Sequence, residues 1–186
     1  IFSGHKKLCG YRHIVQAEPD VNFLLRPDFL QGIQALGNYD LTYDILVFPH
    51  QLGAVLEFVK KFPNQRFVLD HLAKPYIKDG FLDGWKVLMK AVAECPNVSC
   101  KVSGMVTEAD WQNWSEADFE PYLDAVTEAF GTERLLFGSD WPVCLLAGSY
   151  ADVTGIVRKY TASWSANEKA NVFGGNALKI YNLNKA

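Results

Sequence analysis

Five apolar stretches of the chain run into groups that can carry a proton, hold an anion or ligate a metal. Arg12 and His13 lie in the first, which ends at Gln16 and is followed by Glu18 and Asp20. Pro49-His50-Gln51 closes the second and Asp70-His71 the third. Lys101 and Ser103 sit in the fourth, and Gly138-Ser139-Asp140-Trp141-Pro142 closes the fifth. A purely structural protein has little reason to end its apolar runs this way. Lys101 and Arg12 carry the sharpest requirement, because a charge inside an apolar segment needs a partner or a water-filled site. Each group also has a bland reading. Gly-Ser-Asp-x-Pro makes an apt turn, so Asp140 could be a cap, and so could Asp70. His13, His50 and Gln51 are weaker candidates, and His5 reads as a surface residue.

Other chemistries are unsupported. No G-x-G-x-x-G follows a strand and no G-x-x-x-x-G-K-[ST] occurs, which removes the usual nucleotide-phosphate sites. The G-x-S-x-G elbow and the H-E-x-x-H motif are absent too. A net charge of −3 argues against a nucleic-acid partner held by a basic face. No apolar run approaches the roughly 18–20 residues that span a bilayer. The four cysteines are scattered without a C-x-x-C spacing and read as reduced, mostly buried thiols of a cytoplasmic protein.

The elements that must position these groups alternate. Strand candidates are 8–16, 41–48, 66–70, 98–103 and 134–138, and a helical pattern follows each. Phe29, Ile33 and Leu36 recur at helical spacing in 28–36, as do Leu52, Val55, Leu56 and Val59 in 51–62 and Trp85, Leu88 and Val92 in 84–94. Ser115–Asp118 and Ser165–Glu168 resemble capping boxes, the first before a helix carrying Phe119, Leu123, Val126 and Phe130. A further helix is expected near 150–160 and a short one after Asn176. Gly174-Gly175 reads as a C-cap followed by a turn.

Strand starts near 8, 41, 66, 98 and 134 repeat at about 31 residues, which implies parallel strands joined by helical crossovers. Five such units fit either a doubly wound open sheet or part of a (β/α)₈ TIM barrel, a fold of about 250 residues. In the barrel case about three units, some 80–95 residues, would lie before residue 1. In both architectures ligands bind at the C-terminal ends of the strands, where the groups above sit.

At Leu69-Asp70-His71-Leu72-Ala73-Lys74-Pro75 and Leu136-Phe137-Gly138-Ser139-Asp140-Trp141-Pro142-Val143 the sequence resembles the amidohydrolase superfamily, in the amidohydrolase-2 group that includes sugar-acid lactonases. Gly10–Gln16, Tyr43-Asp44-Ile45-Leu46, Lys101-Val102-Ser103-Gly104 and Gly175-Asn176-Ala177-Leu178-Lys179-Ile180-Tyr181 support the resemblance along nearly the whole chain. It implies an α/β TIM barrel, with residues 1–186 as the C-terminal five or so β/α units of a single domain. It implies a hydrolase opening a sugar-acid lactone, with Asp140 as general base and His71 polarising the carbonyl. Arg12 and Lys101 would bind the ligand's anionic or hydroxyl-rich parts, and His50, Gln51 and Trp141 would line the sugar pocket. His71 and Asp140 are the metal-ligand candidates. One divalent ion such as zinc is allowed, and so is metal-free catalysis, because a lactone is a reactive ester for which a metal is helpful but not obligatory; the His-x-His pair of the family's first strand is not in this sequence. The expected partner is a small molecule, with neither nucleic acid nor membrane, and homo-oligomers are allowed. The alternatives are a metal-dependent amidohydrolase or decarboxylase of the same superfamily, and a non-catalytic sugar-acid binding protein.

Overall fold

The computed structural model describes His5 and residues 7–183. Its five strands are β1 (Gly10–Ile14), β2 (Thr42–Leu46), β3 (Phe67–Leu69), β4 (Val98–Val102) and β5 (Leu135–Phe137). They pair in parallel in the order β1-β2-β3-β4-β5, the chain order a barrel wall requires. Helices α1 (Pro27–Gly37), α2 (Leu52–Lys61), α3 (Asp83–Ala93) and α4 (Glu120–Phe130) make the crossovers between them. Helices α5 (Tyr150–Tyr160), α6 (Ala166–Ala170) and α7 (Asn176–Ile180) follow β5. No described helix is long and apolar enough to cross a membrane, and the four cysteines are free thiols, three of them buried.

The period-two alternation of a strand sorts its side chains onto two faces. Tyr43, Ile45, Phe67, Leu69, Val98, Cys100, Val102 and Leu135 belong to the apolar core under the helices. The helices answer with stripes at helical spacing: Leu52, Val55, Phe58 and Val59 of α2 are fully buried, as is Met89 of α3. Burying one such side chain is worth about 1.5–3 kcal/mol. The opposite face carries Arg12, Asp44, Asp70, Lys101 and Ser103.

The strands are shorter than the apolar runs suggest. β1 ends where Val15 enters a 3₁₀ turn, and β3 ends where Asp70 leaves the sheet. Both expected capping boxes are present: the Ser115 N–H donates to Asp118 Oδ2 (2.6 Å) and the Ser165 N–H to Glu168 Oε2 (2.8 Å). Gly174-Gly175 differs from expectation. It lies in a wide turn, Asn171–Gly175, that leads straight into α7, and neither glycine is left-handed. The Asn176 side chain explains this, because it donates to the Thr132 and Leu135 carbonyls (2.8 Å each) and ties the start of α7 to β5.

Candidate active site

Arg12 of β1, Asp44 of β2, Asp70 just past β3 and Lys101 of β4 converge on the face away from the helices. Lys101 Nζ lies 2.5 Å from Asp70 Oδ1 and 3.0 Å from Asp44 Oδ2. Arg12 Nη1 lies 2.9 Å from Asp70 Oδ2, so each Asp70 oxygen holds one cation. Asp70 is fully buried, and each of its two oxygens faces a cation, as a charge taken out of water requires. Burial works against the Lys101 ammonium, but the two carboxylates outweigh it and hold its pKa above the usual lysine value. The hydrogen bond to Asp70 likewise raises Arg12. Burial pushes the Asp44 carboxyl up, opposed by Lys101. Gly138 packs closely against this arrangement: a Cβ there would lie 3.2 Å from Ser103 Cβ and 3.4 Å from the Lys101 stem.

The second cluster is built on strained backbone. His71, Leu72, Ala73 and Lys74 follow Asp70 with φ of 54, 53, 54 and 49°, four successive left-handed residues without a glycine. Each costs roughly 1–2 kcal/mol. Trp85 Nε1 donates to the Leu72 carbonyl (2.8 Å), the Lys74 N–H to the His71 carbonyl (2.7 Å), and Lys74 forms an ion pair with Glu108, which together hold the turn. The turn aims His71 across the strand ends. Its Nδ1 is 2.7 Å from Ser103 Oγ and its Nε2 is 3.6 Å from Asp140 Oδ1. Burial lowers the His71 pKa despite Asp70 and Asp140, favouring the neutral ring. Asp140 is itself left-handed (φ 55°). Its carboxylate accepts no backbone N–H among the described hydrogen bonds, so the cap reading does not hold; nor is Asp70 a cap. His71 and Asp140 suit two positions of a divalent ion, and no group of three or more candidate ligands occurs among the described residues.

Gly104 makes this packing possible. Its φ is 63°, and a Cβ there would lie 2.9 Å from the Cβ, Cγ and Nδ1 of His71. Gly104→Ala is therefore expected to cost roughly 2–4 kcal/mol, combining left-handed strain with overpacking. Denaturant titration measures this directly; a midpoint within error of wild type would show that the turn gives way freely.

The structure brings together Arg12, Lys101, His71 and Asp140. Arg12 and Lys101, expected at the anionic or hydroxyl-rich parts of a ligand, are both paired with protein carboxylates. Gln51 is corrected outright. It is fully buried, its Oε1 accepts from the Phe48 N–H (2.9 Å) and its Nε2 donates to the Val15 carbonyl (3.0 Å), so it ties loops together and does not line a pocket. His50 is exposed, 3.3 Å from the Tyr76 hydroxyl. Trp141 is 63% exposed beside Asp140. His13 pairs with Glu18 (2.7 Å) and stacks on Phe23, away from the cluster. Sequence reasoning saw Asp70 and Ser103 as strand-end groups without assigning their partners, and did not single out Asp44 as the partner of Lys101. A signal existed for Asp44: a lone carboxylate inside the strand Thr42–Leu46 demands a cation, as Lys101 demands an anion.

Comparison with known proteins adds four likenesses. The amidohydrolase family profile matches residues 3–183. The chain is 43% identical to an L-fucono-1,5-lactonase of Burkholderia multivorans and 37% identical to one of Burkholderia ambifaria, over 95% and 96% of its length. It spans 64% and 63% of those relatives. A crystal structure of a Burkholderia multivorans amidohydrolase with bound zinc superposes with a TM-score of 0.90 at 42% identity, covering 93% of this chain and 64% of that one.

Proposed function

This chain belongs to the amidohydrolase family, and from that premise we propose that it hydrolyses the ring ester of a neutral sugar-acid lactone. The observation that carries the reading is the charge balance at the strand ends. Two cations, Arg12 and Lys101, face three carboxylates, Asp44, Asp70 and Asp140, and both cations are already engaged. A lactone has its carboxyl locked in the ring and is uncharged; its hydrolysis product is an anion. A site with surplus negative charge accepts the first and repels the second. Decarboxylation of a carboxylic acid, or a binding protein for sugar-acid anions, would need a cation to spare.

In this mechanism the Asp140 carboxylate takes a proton from a water as that water's oxygen attacks the lactone carbonyl carbon. With the Ser103 hydroxyl donating a hydrogen bond to His71 Nδ1 (2.7 Å), the neutral ring carries its N–H on Nε2, on the Asp140 side, where it donates to the reacting carbonyl oxygen. Arg12 spends Nη1 on Asp70 and keeps donors for the same oxyanion or for ligand hydroxyls. When the tetrahedral intermediate collapses, the bond from carbon to ring oxygen breaks and Asp140 returns the proton to the departing alkoxide. His50 and Trp141 stand at the mouth, where an aromatic face suits a sugar ring. A divalent ion such as zinc, held by His71 and Asp140 with ligands from elsewhere, would polarise the carbonyl. We place residues 1–186 as the C-terminal part of one TIM-barrel domain, in a cytoplasmic enzyme that acts on a small molecule and not on nucleic acid and whose copies are free to form a homo-oligomer. The side chains of Tyr11 and Ile14, exposed on β1, support a wall that continues past this strand.

The test is a substrate panel for the complete chain: L-fucono-1,5-lactone and other neutral sugar lactones, a lactone bearing free carboxylates, and aromatic carboxylic acids. Neutral lactones should exceed charged ones in kcat/KM by about a hundredfold or more, since uncompensated like charge costs several kcal/mol. Preferred release of CO₂ from an acid would overturn the reading.

A further inference from the structure

Resting on the lactonase reading above, we infer that Tyr181 is a positioning residue that acts on the site from the opposite end of the sheet, by fixing Asp44 and through it the Lys101 ammonium. The C-terminal turn is pinned beneath β2. Thr42 Oγ1 and Arg66 Nε both donate to the Ile180 carbonyl (2.9 Å each), and Asn182 Nδ2 donates to Asp40 Oδ2 (2.7 Å). From that anchor the Tyr181 hydroxyl reaches both oxygens of Asp44 at 2.8 Å. Its ring centroid lies 5.8 Å from Lys101 Nζ. Burial raises the phenol's pKa, so the hydroxyl keeps its proton and serves as a donor.

The result is a continuous line of side chains from the base of the sheet to its mouth: Tyr181, Asp44, Lys101, Asp70 and Arg12. Lysine has a flexible four-carbon stem and a point charge, so its position follows its partners. Tyr181 satisfies Asp44 from below. Without that hydroxyl, Asp44 has Lys101 as its one described side-chain donor. The ammonium is then drawn down toward Asp44 and loosens from Asp70. Asp70 in turn holds Arg12, whose side chain is half exposed. Tyr181 touches no reacting atom in this arrangement; its effect on the reaction passes through Lys101.

Tyr181→Phe keeps the ring and removes the hydroxyl. In the complete chain, kcat for lactone hydrolysis should fall about five- to twentyfold with KM changed less than twofold, well below the melting temperature. The discriminating measurement is a double-mutant cycle with Lys101→Met. If Tyr181 acts through Lys101, Tyr181→Phe has no further effect on kcat in the Lys101→Met background. Additive losses would mean that the tyrosine only stabilises the fold and would overturn the inference. A second readout needs no turnover: the buried Lys101 ammonium, assigned by its loss in Lys101→Met, should exchange its protons at least about tenfold faster in Tyr181→Phe. Unchanged exchange overturns the inference even if the enzyme proves to act on another substrate. Conversely, faster exchange without lactonase activity in wild type would sustain the clamp while sinking the functional reading.

Discussion

Replacing Asp140 with Asn should lower kcat for lactone hydrolysis at least about a hundredfold while leaving the fold intact. A positioned general base contributes roughly 10²–10⁴ in rate, and an amide cannot take the water's proton. The backbone argues that folding will be spared. Asp140 sits at φ 55°, a region where Asn is among the few non-glycine residues that are at ease. Its carboxylate supports no backbone N–H that an amide would have to replace. The nearest described side-chain partner is His71 Nε2 at 3.6 Å, too long for a strong structural bond. Unfolding free energy should therefore stay within about 0.5 kcal/mol of wild type. Turnover and thermal melting measured side by side decide the matter. Wild-type turnover in the Asn variant would remove Asp140 from the role of base, and an unfolded variant would show it to be a structural residue.

Asp70→Asn should have the opposite profile, with a large loss of stability as well as of activity. Asp70 is fully buried and accepts from two cations, at 2.5 Å from Lys101 and 2.9 Å from Arg12. Removing one partner of a buried ion pair costs roughly 3–5 kcal/mol, because the charge left behind is uncompensated. For a chain of this size that corresponds to a fall in melting temperature of about 10 °C. The double variant Asp70→Asn/Lys101→Met removes a positive and a negative charge together and should recover part of that loss. Failure of the double variant to recover any stability would show that the cost is steric. The alkaline limb offers a further check. Lys101 titrates higher folded than unfolded, so the folded state binds more protons above the ordinary lysine value of about 10.4. Its contribution is thus complete below that pH and is lost as pH rises toward the folded value. Asp70→Asn should flatten that limb.

The helices were legible because burial of one face imposes a period. Phe29, Ile33 and Leu36 mark α1, and the Ser165-x-x-Glu168 box starts α6 where its residues said it would. The strands were legible as runs but not in length, since apolar composition does not record where pairing stops. β3 ends at Leu69 because the next residues turn left-handed, and nothing in Asp-His-Leu-Ala-Lys announces four positive φ values without a glycine. Gln51 illustrates the other failure. Its position at a strand end suggested a ligand contact, whereas loop packing buried it and spent both ends of its amide on backbone.

The sequence by itself determined the alternation of strand and helix, the parallel direction of the five strands, and the candidacy of Arg12, His71, Lys101 and Asp140. Those follow from spacing along one chain and from the cost of burying charge, both local properties. Only the tertiary structure decided what the charges are for. Residues 12, 44, 70, 101 and 181 come from five different segments, and the sum of their charges at one place depends on distances across the sheet. Those distances made two cations expected at the anionic or hydroxyl-rich parts of a ligand the counterions of Asp44 and Asp70, and set His71 Nε2 3.6 Å from Asp140 Oδ1. A Coulomb interaction is set by separation in space and by local dielectric, and neither is written in the order of residues.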